Sequence, residues 1–287
     1  DWMKYCSHLT FNSFNQYNKY IALMQASTKE VKCGLRINPE YAEVSTDLYN
    51  PCVPGSRLGI RSNEFGDKLP KGISGLHFHT LCESNSYSLE NTLKVVEEKF
   101  GRLLEQCEWV NFGGGHLITQ KDYKVEHLIG VLKAFKAKYP HLQVIMEPGA
   151  AFAWETGYLV STVQDYFESD GIQSVLLDVS VAAHMPDCIE MPYTPAILGV
   201  EQAKKEEKRT RVGGTSCLAG DYVGDYYFPD GVEMGQKIVF NDMMHYTMVK
   251  TTFFNGVKHP NICIWHKDDT LEVVKTFEYE EFKAKLS

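Results

Sequence analysis

The sequence predicts an α/β unit built on a parallel sheet, followed by a unit that is mostly β-strand. Three observations carry this reading. Apolar, strand-like runs alternate with helix-spaced segments as far as Pro148, the pattern left by β-α-β crossovers. After Trp154 the helical spacing gives way to extended runs, and the first two, residues 157–167 and 172–179, are separated by Ser169-Asp170-Gly171, a hairpin-type turn. Within the first regime, Trp109-Val110-Asn111-Phe112 stops on Gly113-Gly114-Gly115, which marks a strand running into a glycine loop. The expected domains are residues 1–154 and 155–287.

Each element follows from its own spacing. Tyr17, Tyr20, Ile21, Leu23 and Met24 space a helix over residues 14–26, and residues 31–37 form an apolar strand. Residues 41–56 have the Asn, Pro, Gly and Ser density of a long loop. A strand over 73–78 ends in His77-Phe78-His79 and precedes an amphipathic helix over 89–104. A second helix over 123–138 leads to a strand over 142–146 that ends on Glu147-Pro148-Gly149. In the second unit, residues 209–215, 237–240, 262–265 and 271–276 read as extended, and the Lys- and Glu-rich stretch 202–211 as a solvated segment.

Composition bounds the function. The chain has 287 residues, 44% of them hydrophobic and 23% charged, and no apolar run approaches the ~20 residues that cross a bilayer. A formal net charge of -8 argues against nucleic acid and anionic membranes as partners and favours a cationic ligand. The 8 cysteines are scattered without a Cys-x-x-Cys pair, which suits reduced thiols in the cytoplasm. Asp1-Trp2-Met3-Lys4-Tyr5 has neither an initiator methionine nor a signal-like core, so an upstream segment is expected.

In a parallel sheet, Gly113, Gly114, Gly115 and Glu147 reach the same rim. Glycines let backbone N–H groups converge on an anion, and three in a row exceed the needs of a plain turn, which favours a phosphate. Glu147, at a strand end, needs a cation or a donor, and a protonated pyridine nitrogen is one. His77 and His79 share a strand face. Their spacing fits a metal site with no further ligands in view, a flat imidazole at His79 stacked on an aromatic ring, or an ordinary core histidine. Phosphate, flat ring and pyridine nitrogen together describe pyridoxal 5′-phosphate, with no metal expected. In the second unit, Gly213 to Asp221 places Cys217 in a glycine-rich loop, as a proton donor, a nucleophile or a buried thiol. The acidic stretch from His184 through Asp187 to Glu190 suits an ammonium ligand or is a plain polar loop.

These motifs, together with His245-Tyr246-Thr247 and Phe254-Asn255-Gly256, occur in the order found in fold type III pyridoxal-phosphate decarboxylases, which the whole chain resembles. The segments at 34–39, 56–59, 183–187 and 216–221 resemble the branch that decarboxylates carboxynorspermidine or carboxyspermidine. The resemblance implies an alanine-racemase-like (β/α)8 barrel, its N-terminal part outside this sequence, followed by a mostly antiparallel β domain. It also implies a homodimer whose sites form at the interface. His79, the three glycines, Glu147 and Tyr246 would hold the cofactor, and Cys217, His79 and Glu147 would be catalytic. His184, Asp187, Glu190 and Asp221 would meet the carboxylated polyamine. Ala150 stands where relatives acting on ornithine or diaminopimelate carry an arginine, and the cofactor-anchoring lysine, which matches no motif here, is expected upstream of Asp1. Diaminopimelate decarboxylation, a non-catalytic homologue regulating a partner, and a metal hydrolase using His77 and His79 are the competing readings.

Overall fold

The computed structural model describes residues 2–205 and 207–287, which fall into two compact units divided between Phe152 and Ala153. The first unit carries β1 (His8–Phe11), α1 (Phe14–Gln25), β2 (Lys32–Asn38), β3 (Ile60–Arg61), β4 (Ile73–His77), α2 (Ser86–Leu104), β5 (Trp109–Asn111), α3 (Val125–Lys138) and β6 (Gln143–Ile145), with α4 (Gly149–Ala153) at the division. Helix starts are set by side chains that satisfy otherwise orphaned amides. Ser13 Oγ accepts from Gln16 N–H, and Asn85 Oδ1 accepts from the N–H groups of Tyr87 and Ser88.

The strands order as β1-β2-β4-β5-β6, with β3 also paired to β2, and every pairing is parallel. Leu35, Leu76 and Val110 lie opposite one another across β2, β4 and β5 and are fully buried with Leu89, Val96 and Phe100 of α2 and Phe135 of α3. Side chains alternate between faces, so the in-register partners Arg36, His77 and Asn111 share the opposite face. Two residues earlier on that face, Gly34 pairs with Gly75 and Gly75 with Trp109. A Cβ on Gly75 would stand 2.1 Å from Trp109 Cδ2, and one on Gly34 2.4 Å from Cη2, so the buried indole lies across both positions. Its Nε1 donates to Ser74 Oγ at 3.1 Å.

The second unit carries β7 (Leu159–Ser169), β8 (Ile172–Leu177), α5 (Val181–His184), α6 (Pro186–Glu190), β9 (Glu201–Gln202), β10 (Thr210–Gly213), β11 (Tyr222–Tyr227), β12 (Lys237–Phe240), α7 (Tyr246–Val249), β13 (Ile262–Trp265), β14 (Leu271–Lys275) and α8 (Tyr279–Leu286). One sheet has the order β12-β7-β8-β10-β11-β9, in which β8 and β10 run parallel and the other pairings are antiparallel. Ser169 pairs with Ile172, so Asp170 and Gly171 are the whole turn, with φ of 52° and 75°. Positive φ at both positions matches the twist of the flanking strands. The core gathers Val163, Val175, Leu177, Val212, Tyr226 and Phe240. β13 and β14 form a separate hairpin. Strand β11 and helix α8 were not legible in the sequence. Among the described residues no helix is long and apolar enough to cross a membrane, and all 8 cysteines are free thiols.

Gly75→Ala should lower stability by ~1–3 kcal/mol, because the new methyl group forces the indole of Trp109 aside in a packed layer. Urea unfolding of the variant beside the parent protein measures this. An unchanged midpoint would mean that the indole moves freely.

Candidate functional site

In the first unit, the parallel register carries the C-terminal ends of β2, β4, β5 and β6 to one rim. The ladder continues past the strand ends, where Phe78 N–H donates to Asn111 O at 3.0 Å, Phe112 N–H to Ile145 O at 2.9 Å and Glu147 N–H to Gly113 O at 2.9 Å. These bonds fix the approach of the segments holding His79, the glycines and Glu147. Gly113 and Gly115 adopt φ of +68° and +83°. A Cβ would meet Phe78 O at 2.5 Å from Gly113, Glu147 O at 2.7 Å from Gly114 and Leu81 O at 2.1 Å from Gly115. Each glycine is therefore demanded by a neighbouring backbone, an explanation that the sequence did not reveal.

Asn111 organises the rim. Its Oδ1 accepts from Gly113 N–H at 2.8 Å, and its Nδ2 donates to Glu147 Oε1 at 2.6 Å. Glu147 is exposed, and Asn111 supplies a donor to it. Gly114 N–H donates to His79 Nδ1 at 3.2 Å, which requires that nitrogen to be unprotonated and leaves the proton of the neutral ring on Nε2. Burial lowers the pKa of His79, the nearby Arg36 guanidinium lowers it further, and Glu147 pulls the other way. Arg36 donates to His79 O at 3.3 Å. The half-buried His77 is pushed down to about 3 by burial, Arg36 and His79. Neither Asn111 nor Arg36 was assigned a role from sequence, and the only signal for them was a polar residue on an otherwise apolar strand.

Donor atoms of His77, His79 and Glu147 lie within 4.8 Å of one another, the one set among the described residues that a cation would fit. The adjacent Arg36 opposes a further positive charge there, and Asn111 already occupies Oε1 of Glu147. The rim fits pyridoxal phosphate on three counts. The N–H groups of Gly115 and His116 donate to no protein acceptor among the described residues and are free for a phosphate. His79 offers a neutral flat ring. Glu147 keeps Oε2 free of partners among the described residues for a ring N–H.

The second unit holds the remaining predicted residues. Cys217 is exposed in the loop between β10 and β11. Asp221, at the end of that loop, is buried and accepts from Ser180 Oγ at 3.1 Å, Ala182 N–H at 2.8 Å and Ser216 N–H at 2.9 Å. His184 is buried, its Nδ1 accepts from Ser180 N–H at 3.2 Å, and burial reinforced by His259 lowers its pKa to about 4. Asp187 is buried too, and its Oδ2 accepts from Tyr193 Oη at 2.7 Å and Thr247 Oγ1 at 2.9 Å. Glu190 pairs with Lys250, and Tyr246 is exposed at the start of α7. Of the carboxylates expected to meet ammonium groups, Asp221 accepts from hydroxyl and amide donors on both oxygens, Asp187 accepts from hydroxyls on Oδ2 while its buried Oδ1 has no partner among the described residues, and Glu190 is at the surface.

Comparison with known proteins gives these clusters a context. Residues 12–244 match the family described as pyridoxal-dependent decarboxylase, C-terminal sheet domain. The chain belongs to this family. Its cofactor is accordingly pyridoxal phosphate, and the chain is a decarboxylase. It is 49% identical over 280 residues to a carboxyaminopropylagmatine decarboxylase from Synechocystis, covering 98% of this chain and 72% of the relative. It is 43% identical over 289 residues to a carboxynorspermidine/carboxyspermidine decarboxylase from Campylobacter jejuni, covering 97% and 74%. Among solved structures, carboxynorspermidine decarboxylase from C. jejuni in complex with norspermidine superposes with a TM-score of 0.86 at 41% identity, over 99% of this chain and 76% of that one.

Stability should fall as the pH is lowered from about 6.5 towards 4. His77, His116 and His184 have folded pKa values of about 3, 4 and 4, whereas the unfolded imidazoles titrate near ~6.5, so below that pH the unfolded chain takes up protons that the folded chain refuses. Their contribution is complete above pH ~6.5. Urea midpoints at pH 7.5 and 5 measure the loss, and equal midpoints would contradict the burial of these rings.

Proposed function

We propose that this decarboxylase acts on carboxynorspermidine or carboxyspermidine, giving norspermidine or spermidine. The observation that carries the reading is the likeness to the norspermidine-bound enzyme over nearly the whole chain. A second reading, carboxyaminopropylagmatine as substrate, is favoured by the 49% identity to the Synechocystis enzyme. The readings differ in what the far end of the substrate presents: an ammonium group, or the planar guanidinium of agmatine with its fixed fork of donors. Carbon dioxide release by the native protein loaded with pyridoxal phosphate, measured on all three compounds, decides between them. A kcat/KM at least tenfold higher for the agmatine derivative would displace the first reading. Turnover of none of the three would remove both.

When bound, pyridoxal phosphate supplies an electron-poor ring that accepts the electron pair left as carbon dioxide departs. Its phosphate would sit on the N–H groups of Gly115 and His116, with the Tyr246 hydroxyl as a further donor. Glu147 Oε2 would hold the proton on the pyridine nitrogen, and Asn111, bonded to Oε1, would keep the carboxylate in place. His79, neutral and fixed by Gly114, would pack flat on the ring without adding a repelling charge. At the substrate, the bond to the carboxylate breaks, the α-carbon would take the proton of the Cys217 thiol in place of carbon dioxide, and the thiolate left behind would regain a proton from water. Glu190 is the surface carboxylate suited to an ammonium group, exchanging Lys250 for substrate. The fold assigned is an alanine-racemase-like barrel followed by a mostly antiparallel sheet domain, in a cytoplasmic homodimer in which Cys217 of one subunit serves the barrel of its partner.

Glu147→Gln should lower kcat at least 100-fold while leaving pyridoxal phosphate bound, since the amide forfeits the charge that holds the ring proton but none of the phosphate donors. Cofactor absorbance and turnover of the same sample test this, and near-normal turnover would remove Glu147 from the chemistry. Mixed with Cys217→Ala chains, it should regain part of the activity if sites are shared. Mixed dimers that remain inactive would count against sharing.

A further inference from the structure

Residues 214–221 join β10 to β11 and carry Cys217 at an exposed position. Asp221 makes most of the ties that hold this loop. The main chain of Asp221 closes it, accepting from Gly214 N–H at 2.7 Å and donating to Leu218 O at 2.9 Å. Its side chain works in two directions. Oδ2 accepts from Ser216 N–H at 2.9 Å, next to Cys217, and Oδ1 accepts from Ser180 Oγ at 3.1 Å and Ala182 N–H at 2.8 Å. Ser180 is also the N-cap of α5, its Oγ accepting from Ala183 N–H at 3.1 Å. Thr215 N–H donates to Val179 O at 3.1 Å, a second tie between the loop and the same segment. At the loop base, a Cβ on Gly214 would stand 2.5 Å from Asp221 Oδ2 and 2.6 Å from Ser180 Cα, so the contact has no room for a larger residue.

Asp221 is only 5% exposed, and the side-chain partners found for it among the described residues are neutral donors. A buried carboxylate in that state depends on its hydrogen-bond donors, and these lie on two segments that are otherwise separate in sequence. The arrangement fixes where Ser216 stands, and hence where the following residue stands. Both oxygens already accept from protein donors, a different arrangement from the ammonium-binding role suggested for Asp221 by family resemblance.

We propose that Asp221 is the positioning residue of the Cys217 loop: its carboxylate clamps Ser216 to the start of α5 and so fixes the place of the Cys217 thiol. This rests on the reading of Cys217 as the proton donor after decarboxylation. A proton donor displaced by about 1 Å can cost on the order of 100-fold in rate. The substrate tail, held elsewhere, is bound as before.

The test compares Asp221→Asn and Asp221→Ala with the parent holoenzyme in two measurements. In steady-state kinetics, both variants should lose kcat at least tenfold with KM changed less than threefold. An ammonium ligand at Asp221 would give the reverse, a raised KM with kcat kept, and that result overturns the proposal. Iodoacetamide labelling followed peptide by peptide supplies the second readout, with the exposed thiol of Cys263 on β13 as internal standard. The ratio of Cys217 to Cys263 labelling rates should change at least threefold in Asp221→Ala, and in the same direction but less in the isosteric Asp221→Asn. An unchanged ratio overturns the proposal even if activity falls. If Asp221→Ala does not fold, Asp221→Asn and Ser180→Ala, which removes one donor to the same carboxylate, carry both measurements. Because labelling needs no substrate, it still decides the clamp if the protein turns over none of the polyamine substrates, which separates failure of the clamp from failure of the functional reading.

Discussion

The parallel register of β2, β4, β5 and β6 is the constraint on which the first unit depends. Leu35, Leu76 and Val110 face the helices and are fully buried, and that burial locks the pairing. A slip of one residue in any of these strands would turn its apolar set outward and its polar set into the helix layer. The same register aligns Arg36, His77 and Asn111 on the other face and delivers His79, the glycines and Glu147 to a single rim. The site is in this sense a by-product of helix packing on the far side of the sheet.

Electrostatically the two rim histidines answer to one cation, Arg36. Arg36 donates to the backbone of His79 and feels the charge of Glu147, and together with burial it disfavours protonation of both histidines. Neutral imidazoles beside a guanidinium can accept hydrogen bonds and pack against a ring without competing for the carboxylate. That carboxylate is the most exposed group of the cluster, and Asn111 holds it from one side. The second unit uses a different solution. Its buried Asp221 is matched on both oxygens by hydroxyl and amide donors, and its buried Asp187 on one oxygen by two hydroxyls.

Much of this was legible where chemistry and local order coincide. His77-Phe78-His79, the glycine run and Glu147-Pro148-Gly149 each follow an apolar strand, so their type and their place at the rim could be read together. Asn111 escaped notice because its partner Glu147 lies 36 residues away. Arg36 was hidden in the same way, 43 residues from His79, and Asp221 lies 41 residues from Ser180. Pairings of that range are set by sheet register, which periodicity does not encode. Strand β11 was missed because Gly224 and Asp225 interrupt it in the manner of a loop. In the fold, Gly224 gives room to Thr194, with a Cβ there only 2.8 Å from its Cγ2, and Asp225 pairs with Arg211 on the neighbouring strand.

Trp109 and the glycines it covers have a consequence for how this sequence can change. Positions 34, 75 and 109 share one volume, contributed by three strands and filled by a single indole. At packing densities close to those of organic crystals such a volume cannot be left empty or filled twice without loss. Substitutions at the three positions are therefore epistatic: a side chain at Gly34 or Gly75 is harmful beside tryptophan but becomes a remedy once position 109 is small. Evolutionary or engineered routes that alter this layer must pass through paired changes, and the order in which the pair is made decides whether the intermediate carries a hole or a clash.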